Sequence, residues 1–297
     1  MKTENLILIG NPASGKSNYL GAGLGYMATR MNDVFGLEGT NRASRDLIDK
    51  VEYSLRKGMW LPKTGGAEGK SHFEFNVHFS TNFALCLETL RRKKMNPTGK
   101  TWRHFKLHVE DWAGEYFQEL KLDEKKSYME QFVQDSMTAK HVMVFFDGIA
   151  LRDDETIDSL QTDLGLLLEI QKRRDEELEA ARKRTFWGWL SSFFSSHRRV
   201  MSIVVTKCDA FGPGDVFCND SGTVDVSKVE RFIREKFPAF NFASQYYETQ
   251  YFCVSCVDNP DHRVVTTKRG TVPSEDWTLD DMKDQIGPLK WIFNHFN

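Results

Sequence analysis

Leu6-Ile7-Leu8-Ile9-Gly10-Asn11-Pro12-Ala13-Ser14-Gly15-Lys16-Ser17 joins an apolar run to a Gly-x-x-x-x-Gly-Lys-Ser motif near the start of the chain. Glycines in such a motif let successive backbone N–H groups point into an anion-sized hollow, and a helix beginning near Lys16 adds its positive end. The lysine of such a loop reaches the β- and γ-phosphates of a nucleotide, and the serine hydroxyl binds Mg²⁺. We therefore predict a phosphate site formed by Gly10, Asn11, Pro12, Ala13, Ser14, Gly15, Lys16, Ser17 and Asn18.

Composition narrows the class of protein. The 297 residues suffice for one large α/β domain or two small ones. The formal net charge of -2 argues against a nucleic-acid binder, which needs an excess of Lys and Arg. Because no apolar run approaches the length of a membrane span and the first residues do not resemble a secretion signal, we expect a cytoplasmic protein without a transmembrane segment.

The cysteines also favour a cytoplasmic location. The five cysteines are odd in number and widely spread, which favours reduced thiols over a disulfide framework. Cys253 and Cys256 have the spacing of a zinc or redox pair. They also fall in an apolar run typical of a strand, so buried packing is the competing interpretation.

Strand-like and helix-like segments alternate along the chain, which predicts a mainly parallel sheet with helices on both faces. The second and third strands each alternate between apolar and polar residues, and we expect them to form an antiparallel pair. A long helix is predicted over Asp153–Arg184. The six predicted strands are Leu6–Ile9, His72–Ser80, Phe105–Glu110, His141–Phe146, Val200–Val205 and Tyr251–Val254.

The fold class predicted is therefore α/β, a phosphate-loop domain with a six-stranded, mostly parallel sheet and one antiparallel strand. We expect one domain over residues 1–297. Insertions into that domain are expected near residues 82–100, 173–199 and 257–280.

An Asp-x-x-Gly motif, Asp111-Trp112-Ala113-Gly114, ends the third predicted strand. Its carboxylate would emerge at the carboxyl edge of the sheet near the phosphate loop, where it can hold Mg²⁺ through water. The Gly114 N–H can sense the γ-phosphate there. Taken alone, the motif is as often a simple turn.

The fifth strand leads directly into Thr206-Lys207-Cys208-Asp209. A carboxylate at Asp209 can accept two parallel hydrogen bonds from N1–H and the N2 amino group of guanine, which adenine cannot supply. The Lys207 stem can lie along the base. Ser255 and Cys256 follow the sixth strand and are expected to complete the base site, where the backbone N–H of Cys256 can donate to guanine O6.

In their order, these motifs resemble those of the translation-factor-related GTPases, the class that includes Ras-like proteins. The resemblance runs from the first strand to the closing segment Pro288–Phe293 and implies binding of GTP or GDP with Mg²⁺, and a catalytic role for Lys16 and Gly114. More narrowly, Trp60–Thr64, the Gly-Glu pair after Asp111 and the Pro-Leu-x-Trp ending resemble bacterial double-GTPase-type domains. That resemblance implies a bacterial signalling or conflict system.

Departures from the family pattern concern the same sites. Thr206 stands where many relatives have asparagine, so its shorter side chain is expected to tether the phosphate loop less firmly. Glu115 replaces the water-orienting glutamine of Ras-like proteins and is either a catalytic base or an ion-paired surface residue. The first-switch Mg²⁺ ligand is assigned to Thr64, with Thr40 and Ser71 as competitors.

Partners and alternatives follow from the rest of the chain. A protein effector or activating protein is expected beside the guanine nucleotide. The aromatic segment 186–194 either packs against the sheet or contacts a partner or a membrane surface.

Slow GTP hydrolysis is predicted because neither the glutamine nor an obvious arginine finger is present; Arg91–Lys94 is more simply a solvated charge run. The alternatives are a nucleotide-locked scaffold and an ATP-dependent enzyme.

Overall fold

Seven strands form the central sheet, in the order β2-β3-β4-β1-β5-β6-β7. In chain order, the strands are β1 (Lys2–Gly10), β2 (Phe35–Gly39), β3 (Lys70–Thr81), β4 (Thr101–Trp112), β5 (His141–Asp147), β6 (Arg199–Thr206) and β7 (Tyr247–Cys253). The helices are α1 (Lys16–Arg30), α2 (Arg42–Arg56), α3 (Val226–Lys236), α4 (Pro238–Tyr246) and α5 (Gly287–His295). The computed structural model describes residues 1–10, 14–57, 59, 70–81, 101–112, 130–132, 134–136, 139–152, 165, 169, 172, 176, 199–255, 265–267, 270–272 and 278–296.

β1 is the central strand, with β4 and β5 as its parallel neighbours. Leu6, Ile7, Leu8 and Ile9 are all buried, because helices cover both faces of the sheet at this point. On one face α1, α2 and α5 pack against Leu6 and Leu8. On the other face α3 and α4 pack around Ile7 and Ile9. The predicted two-faced α/β arrangement is confirmed.

The antiparallel pair is also confirmed. β3 and β4 pair over twelve positions, from Lys70 opposite Trp112 to Thr81 opposite Thr101. Odd-numbered residues of both strands, such as Phe75 and Leu107, enter the core beneath α1 and α2, and even-numbered residues face the other way. We call this second side of the β3–β4 pair the polar face.

The strand count was wrong, since the sheet has seven strands rather than six. The additional strand is β2, which pairs antiparallel with β3 at the edge of the sheet. β2 has only five residues, two of them glycine, and glycine weakens a strand signal because it has no side chain to pack. β3 remains the one strand that runs against the others.

Two predicted segments are described in part. Within the predicted helix Asp153–Arg184, residues 165, 169, 172 and 176 are helical. Within 257–280, a two-stranded hairpin pairs β8 (Val265–Thr267) with β9 (Gly270–Val272). Among the helices of the described residues, none combines the length and the apolar character needed to cross a lipid bilayer.

Candidate functional site

Both ends of the phosphate motif have backbone geometry that requires glycine. A Cβ on Gly10 would lie 2.5 Å from the carbonyl oxygen of Phe145, because the end of β1 passes directly against β5. Gly15 has φ 79° and ψ 12°, the left-handed conformation that side chains rarely adopt. The chain turns at Gly15 straight into α1.

The N-terminus of α1 is suited to an anion. Gly15 caps the helix without a side-chain hydrogen bond, and the first turn contains no acidic residue to offset the helix dipole. Lys16 is buried, and its Nζ donates to the carbonyl oxygen of Gly10 at 2.7 Å. The lysine therefore reaches from the last residues of the motif back to its first.

Ser17 and Asp111 meet, although they lie 94 residues apart in the chain. The Ser17 hydroxyl donates to Asp111 Oδ2 at 2.5 Å, and Asp111 is wholly buried. Asp111 reaches this position because β4 lies beside β1 with Leu8 opposite Asp111. A hydroxyl and a carboxylate are oxygen ligands of the type that Mg²⁺ prefers, so this pair fits the predicted ion.

The competitors for the first-switch ligand separate in the structure. Ser71 lies directly opposite Asp111 in the β3–β4 register, on the same face of the sheet. Thr40 instead has its hydroxyl 3.2 Å from Glu74 Oε2, on the polar face. Of the two, Ser71 is therefore the one whose backbone position neighbours the Ser17–Asp111 pair.

Thr206 holds the phosphate loop to the sheet. Its hydroxyl lies 2.7 Å from the carbonyl oxygen of Ser14 and 3.0 Å from that of Phe146, and both Thr206 and Ser14 are buried. The shorter side chain at this position does reach the loop.

The predicted base motif forms a compact turn after β6. Lys207 has φ 56° and begins a short helical turn over Cys208–Ala210. Asp209 is exposed, and the Ser255 hydroxyl donates to its Oδ1 at 2.5 Å, which orients the carboxylate. The Lys207 ammonium group is 2.5 Å from Asp147 Oδ2, so the lysine is also held in place.

Three positioning residues were missed by sequence reasoning. Gln285 Oε1 accepts a hydrogen bond from the Ser255 N–H at 2.8 Å, and the carbonyl oxygen of Gln285 accepts one from the Tyr19 hydroxyl at 2.9 Å. Gln285 thus links the base turn to α1. Asp147 ends β5, and a carboxylate at a strand exit is a signal that sequence reasoning could have used. Gln285 and Tyr19 have no such local signal, because they are 266 residues apart.

The cysteines near the base turn behave as buried thiols. A hydrogen bond with Cys253 and burial together raise the pKa of the Cys208 thiol. Cys208, Cys218 and Cys253 are free of disulfide bonds. Within the described part of the chain, no cysteine belongs to a group of three or more potential metal ligands.

Other predicted site residues lie outside the described residues. These are Asn11, Pro12, Ala13, Thr64, Gly114, Glu115 and Cys256. The charge run Arg91–Lys94 and the aromatic segment 186–194 lie outside them as well. The structure thus brings together Lys16, Ser17 and Asp111 in one group and Thr206, Lys207, Asp209 and Ser255 in another. Asn18 lies in the first turn of α1, one residue beyond Ser17.

Comparison with known proteins gives distant matches. No protein-family model matches the chain, and no curated protein matches it. Among solved structures, bacterial selenocysteine-specific elongation factor EF-Sec matches with 12% identity and a TM-score of 0.35; the match covers 100% of this chain and 30% of that chain. The SRb-GTP/SRX complex of the signal recognition particle receptor from Chaetomium thermophilum matches with 14% identity and a TM-score of 0.42, covering 88% and 94% of the two chains. Both TM-scores lie below 0.5. The fold and the candidate site are therefore inferred from the strand order and the contacts of this chain.

Proposed function

We propose that this chain is a guanine-nucleotide switch that binds GTP·Mg²⁺ and hydrolyses it slowly to GDP. The contact between Ser17 and Asp111 carries the proposal, because it joins the phosphate motif to the Asp-x-x-Gly motif at the N-terminus of α1. A chance glycine turn would have no reason to be accompanied by a buried carboxylate from a neighbouring strand.

In this proposal, each residue of the group Lys16, Ser17 and Asp111 has a distinct role. The backbone of the loop and the first turn of α1 cradle the α- and β-phosphates, and Lys16 neutralises charge on the β- and γ-phosphates. Ser17 and Asp111 would hold Mg²⁺. The ion, when bound, would neutralise charge on the phosphate oxygens. Thr64 is proposed as the first-switch ligand, with Ser71 as the alternative favoured by its place opposite Asp111.

The residues of the second group, Thr206, Lys207, Asp209 and Ser255, favour binding of guanine over adenine. Asp209 is exposed and oriented by Ser255, so its carboxylate can accept from both N1–H and the N2 amino group of guanine. Lys207, held by Asp147, lines the base, and the Cys256 N–H is proposed to donate to guanine O6. An adenine ring has an acceptor at N1 and therefore offers Asp209 no hydrogen-bond donor there.

We assign hydrolysis and switching to the residues that follow β4. Gly114 N–H is proposed to contact the γ-phosphate, and Glu115 either acts as a base or pairs with a cation. Slow turnover follows because neither the water-orienting glutamine nor an obvious arginine finger is present, and because the γ-phosphate repels a carboxylate. Ordering of the loops around Thr64 and Gly114 would then change which effector or activating protein binds. By resemblance, the setting proposed is a bacterial signalling or conflict system.

Thermal unfolding with GDP, GTP and ATP, each with Mg²⁺, tests the proposal. A ligand at 100 times its Kd adds about 2.7 kcal/mol to the free energy of unfolding, a readily measured shift in Tm. We expect GDP and GTP to raise Tm and ATP to leave it nearly unchanged. Lys16→Ala should remove the shift. Equal stabilisation by ATP would favour an ATP-dependent enzyme and contradict the proposal.

Asp209→Asn gives a sharper test of guanine recognition by the second group. An asparagine amide can still accept from N1–H but donates where guanine has its amino group, so it suits xanthine, which carries a carbonyl there. We expect the variant to lose GDP binding and to gain XDP binding. Phosphate release from GTP, measured beside Lys16→Ala and a buffer control, then separates a slow GTPase from a nucleotide-locked scaffold.

A further inference from the structure

The polar face of β3 and β4 carries a group of ionisable side chains that the proposed function does not use. In the antiparallel register His72 lies opposite Glu110 and Glu74 lies opposite His108. All four are even-numbered, so they share the side of the sheet that faces away from Asp111 and α1. His104 lies on the same face, four residues before His108 on β4.

Three of these side chains approach one another closely. One potential ligand atom from each of His72, Glu74 and His108 lies within 4.8 Å of the other two. We call these residues the His-Glu-His cluster. The bonds of a first-row divalent metal to imidazole nitrogen and carboxylate oxygen are about 2.0–2.2 Å long. Three atoms on such a sphere are about 3–3.5 Å apart, so small side-chain rotations would close the cluster around an ion.

The His72 ring is oriented in the way that a metal-binding histidine usually is. Its Nδ1 lies 2.5 Å from Glu110 Oε1, and its Nε2 lies 3.0 Å from Glu74 Oε1. A carboxylate that accepts the Nδ1 proton leaves the Nε2 lone pair for an ion and increases its basicity. Glu110 is the less exposed carboxylate of the two, at 16% against 38% for Glu74, which fits a supporting rather than a ligating role.

Glu74 is supported in the same manner. The Thr40 hydroxyl lies 3.2 Å from Glu74 Oε2, the oxygen that does not contact His72. The carboxylate is therefore anchored on one side and directed at His72 with the other. Ligands that are themselves hydrogen-bonded from behind are typical of metal sites.

The charges of the cluster favour a divalent cation. Two carboxylates contact the His72 ring, Glu110 at Nδ1 and Glu74 at Nε2. A divalent cation between His72 and Glu74 would be balanced by the two negative charges. Lys106 also lies on the polar face, but it is exposed and can turn into solvent.

We infer that His72, Glu74 and His108 form a binding site for a divalent first-row transition metal ion of the Zn²⁺ type, with Glu110 and Thr40 supporting the ligands. Two imidazoles with one carboxylate suit such ions better than Mg²⁺ or Ca²⁺, which prefer oxygen ligands throughout. The ion would join β3 to β4 next to the position where Ser71 lies opposite Asp111. The inference does not depend on nucleotide binding.

Calorimetric titration of the full chain with Zn²⁺ tests it, with and without saturating GDP·Mg²⁺. We expect one equivalent of Zn²⁺ that His108→Ala and Glu74→Gln lose, and that His104→Ala, the matched control on the same face, retains. Glu110→Gln should weaken the site by about 10- to 100-fold, as loss of a supporting carboxylate does. Co²⁺ in place of Zn²⁺ should give a visible absorption spectrum that His108→Ala abolishes.

Glu74→Gln keeps the shape of the side chain and guards against a variant that simply fails to fold. Zn²⁺ bound by cysteines elsewhere would remain in every variant and therefore subtracts out. Equal binding by wild type and both ligand variants, or no binding at all, would show that the cluster is only an ion pair of His72 with its carboxylates. Loss of the same equivalent in His104→Ala would also overturn the inference.

Discussion

The hydroxyl of Thr206 donates to the carbonyl oxygen of Ser14 across 2.7 Å and so joins the end of β6 to the phosphate loop. Both residues are buried, and 192 positions separate them in the chain. A carbonyl this far from solvent loses its partner at a cost, because water cannot replace the donor. The first residue of the predicted base motif thus also supports the predicted phosphate loop.

Thr206→Val keeps the shape of the side chain and removes the hydroxyl. We expect the free energy of unfolding to fall by about 1–3 kcal/mol, since a buried acceptor is left without its donor. Urea unfolding measures this, and GDP titration should show weaker binding. Thr206→Ser retains the hydroxyl and is the matched control. A serine variant as unstable as the valine variant would contradict the role of the hydrogen bond.

Gln285 accepts hydrogen bonds from the Ser255 N–H and the Tyr19 hydroxyl. It should therefore stabilise the turn that contains Asp209, because Ser255 contacts Asp209. Gln285→Leu removes the acceptor, and we expect GDP affinity to fall by roughly 2- to 12-fold, the range that corresponds to about 0.5–1.5 kcal/mol for one hydrogen bond. Gln285→Glu keeps an oxygen for Ser255 and should bind GDP more tightly than the leucine variant. Equal losses in both would assign the effect to packing.

Gly10→Ala tests the close passage of β1 against β5. The added Cβ would lie 2.5 Å from the Phe145 carbonyl oxygen, which is backbone and cannot turn away. We expect a destabilisation of about 1–3 kcal/mol, as for other overpacked sites, together with lower GDP affinity. Gly212→Ala is the matched control, because no atom lies within 4 Å of the Cβ it would add. Similar unfolding curves for the two variants would contradict the prediction.

The sequence predicted the centre of the sheet better than its edge. Buried runs such as Leu6–Ile9 and Val142–Phe146 are apolar on both faces, and that pattern is typical of central parallel strands. β2 was missed because its pairing with β3, rather than its own residues, makes it a strand. Edge strands obtain most of their stability from the neighbour, which local sequence does not record.

The same distinction applies to the candidate site. Lys16, Ser17 and Asp209 could be predicted as site residues because motif spacing fixes their positions relative to a strand end. Gln285 and Asp147 support those residues from other parts of the chain, and their role depends on contacts that form only in three dimensions. The cluster on the polar face was missed for a related reason, since its members come from two strands that must pair in register.

His72 should make stability fall as the pH rises in metal-stripped buffer. The hydrogen bond to Glu110, aided by Glu74 and opposed by burial, raises the pKa of His72 from 6.5 to about 9. The protonated form therefore stabilises the folded chain fully below pH 6.5, and this contribution is lost as the pH rises toward 9. We expect the Tm advantage of wild type over His72→Gln to shrink across that range. A constant difference would contradict the prediction.

His141 should have the opposite effect. Its Nε2 lies 3.3 Å from Glu4 Oε2, and each side chain is only 2% exposed. Burial, only partly offset by the contact with Glu4, lowers the pKa of His141 below 6.5. Below pH 6.5 the unfolded chain therefore takes up a proton that the folded chain resists, so the free energy of unfolding falls as the pH falls.

For the single proton involved, the slope is at most about 1.4 kcal/mol per pH unit. Burial pushes the pKa of Glu4 upward, but its hydrogen bond with His141 and nearby positive charge outweigh this and lower it. Glu4 therefore loses its own contribution only at more acidic pH, below its ordinary value of 4.5. We expect urea unfolding between pH 7.5 and 5.5 to show a flatter dependence in His141→Gln than in wild type. Parallel curves would mean that folding does not change the pKa of His141 and would contradict the prediction.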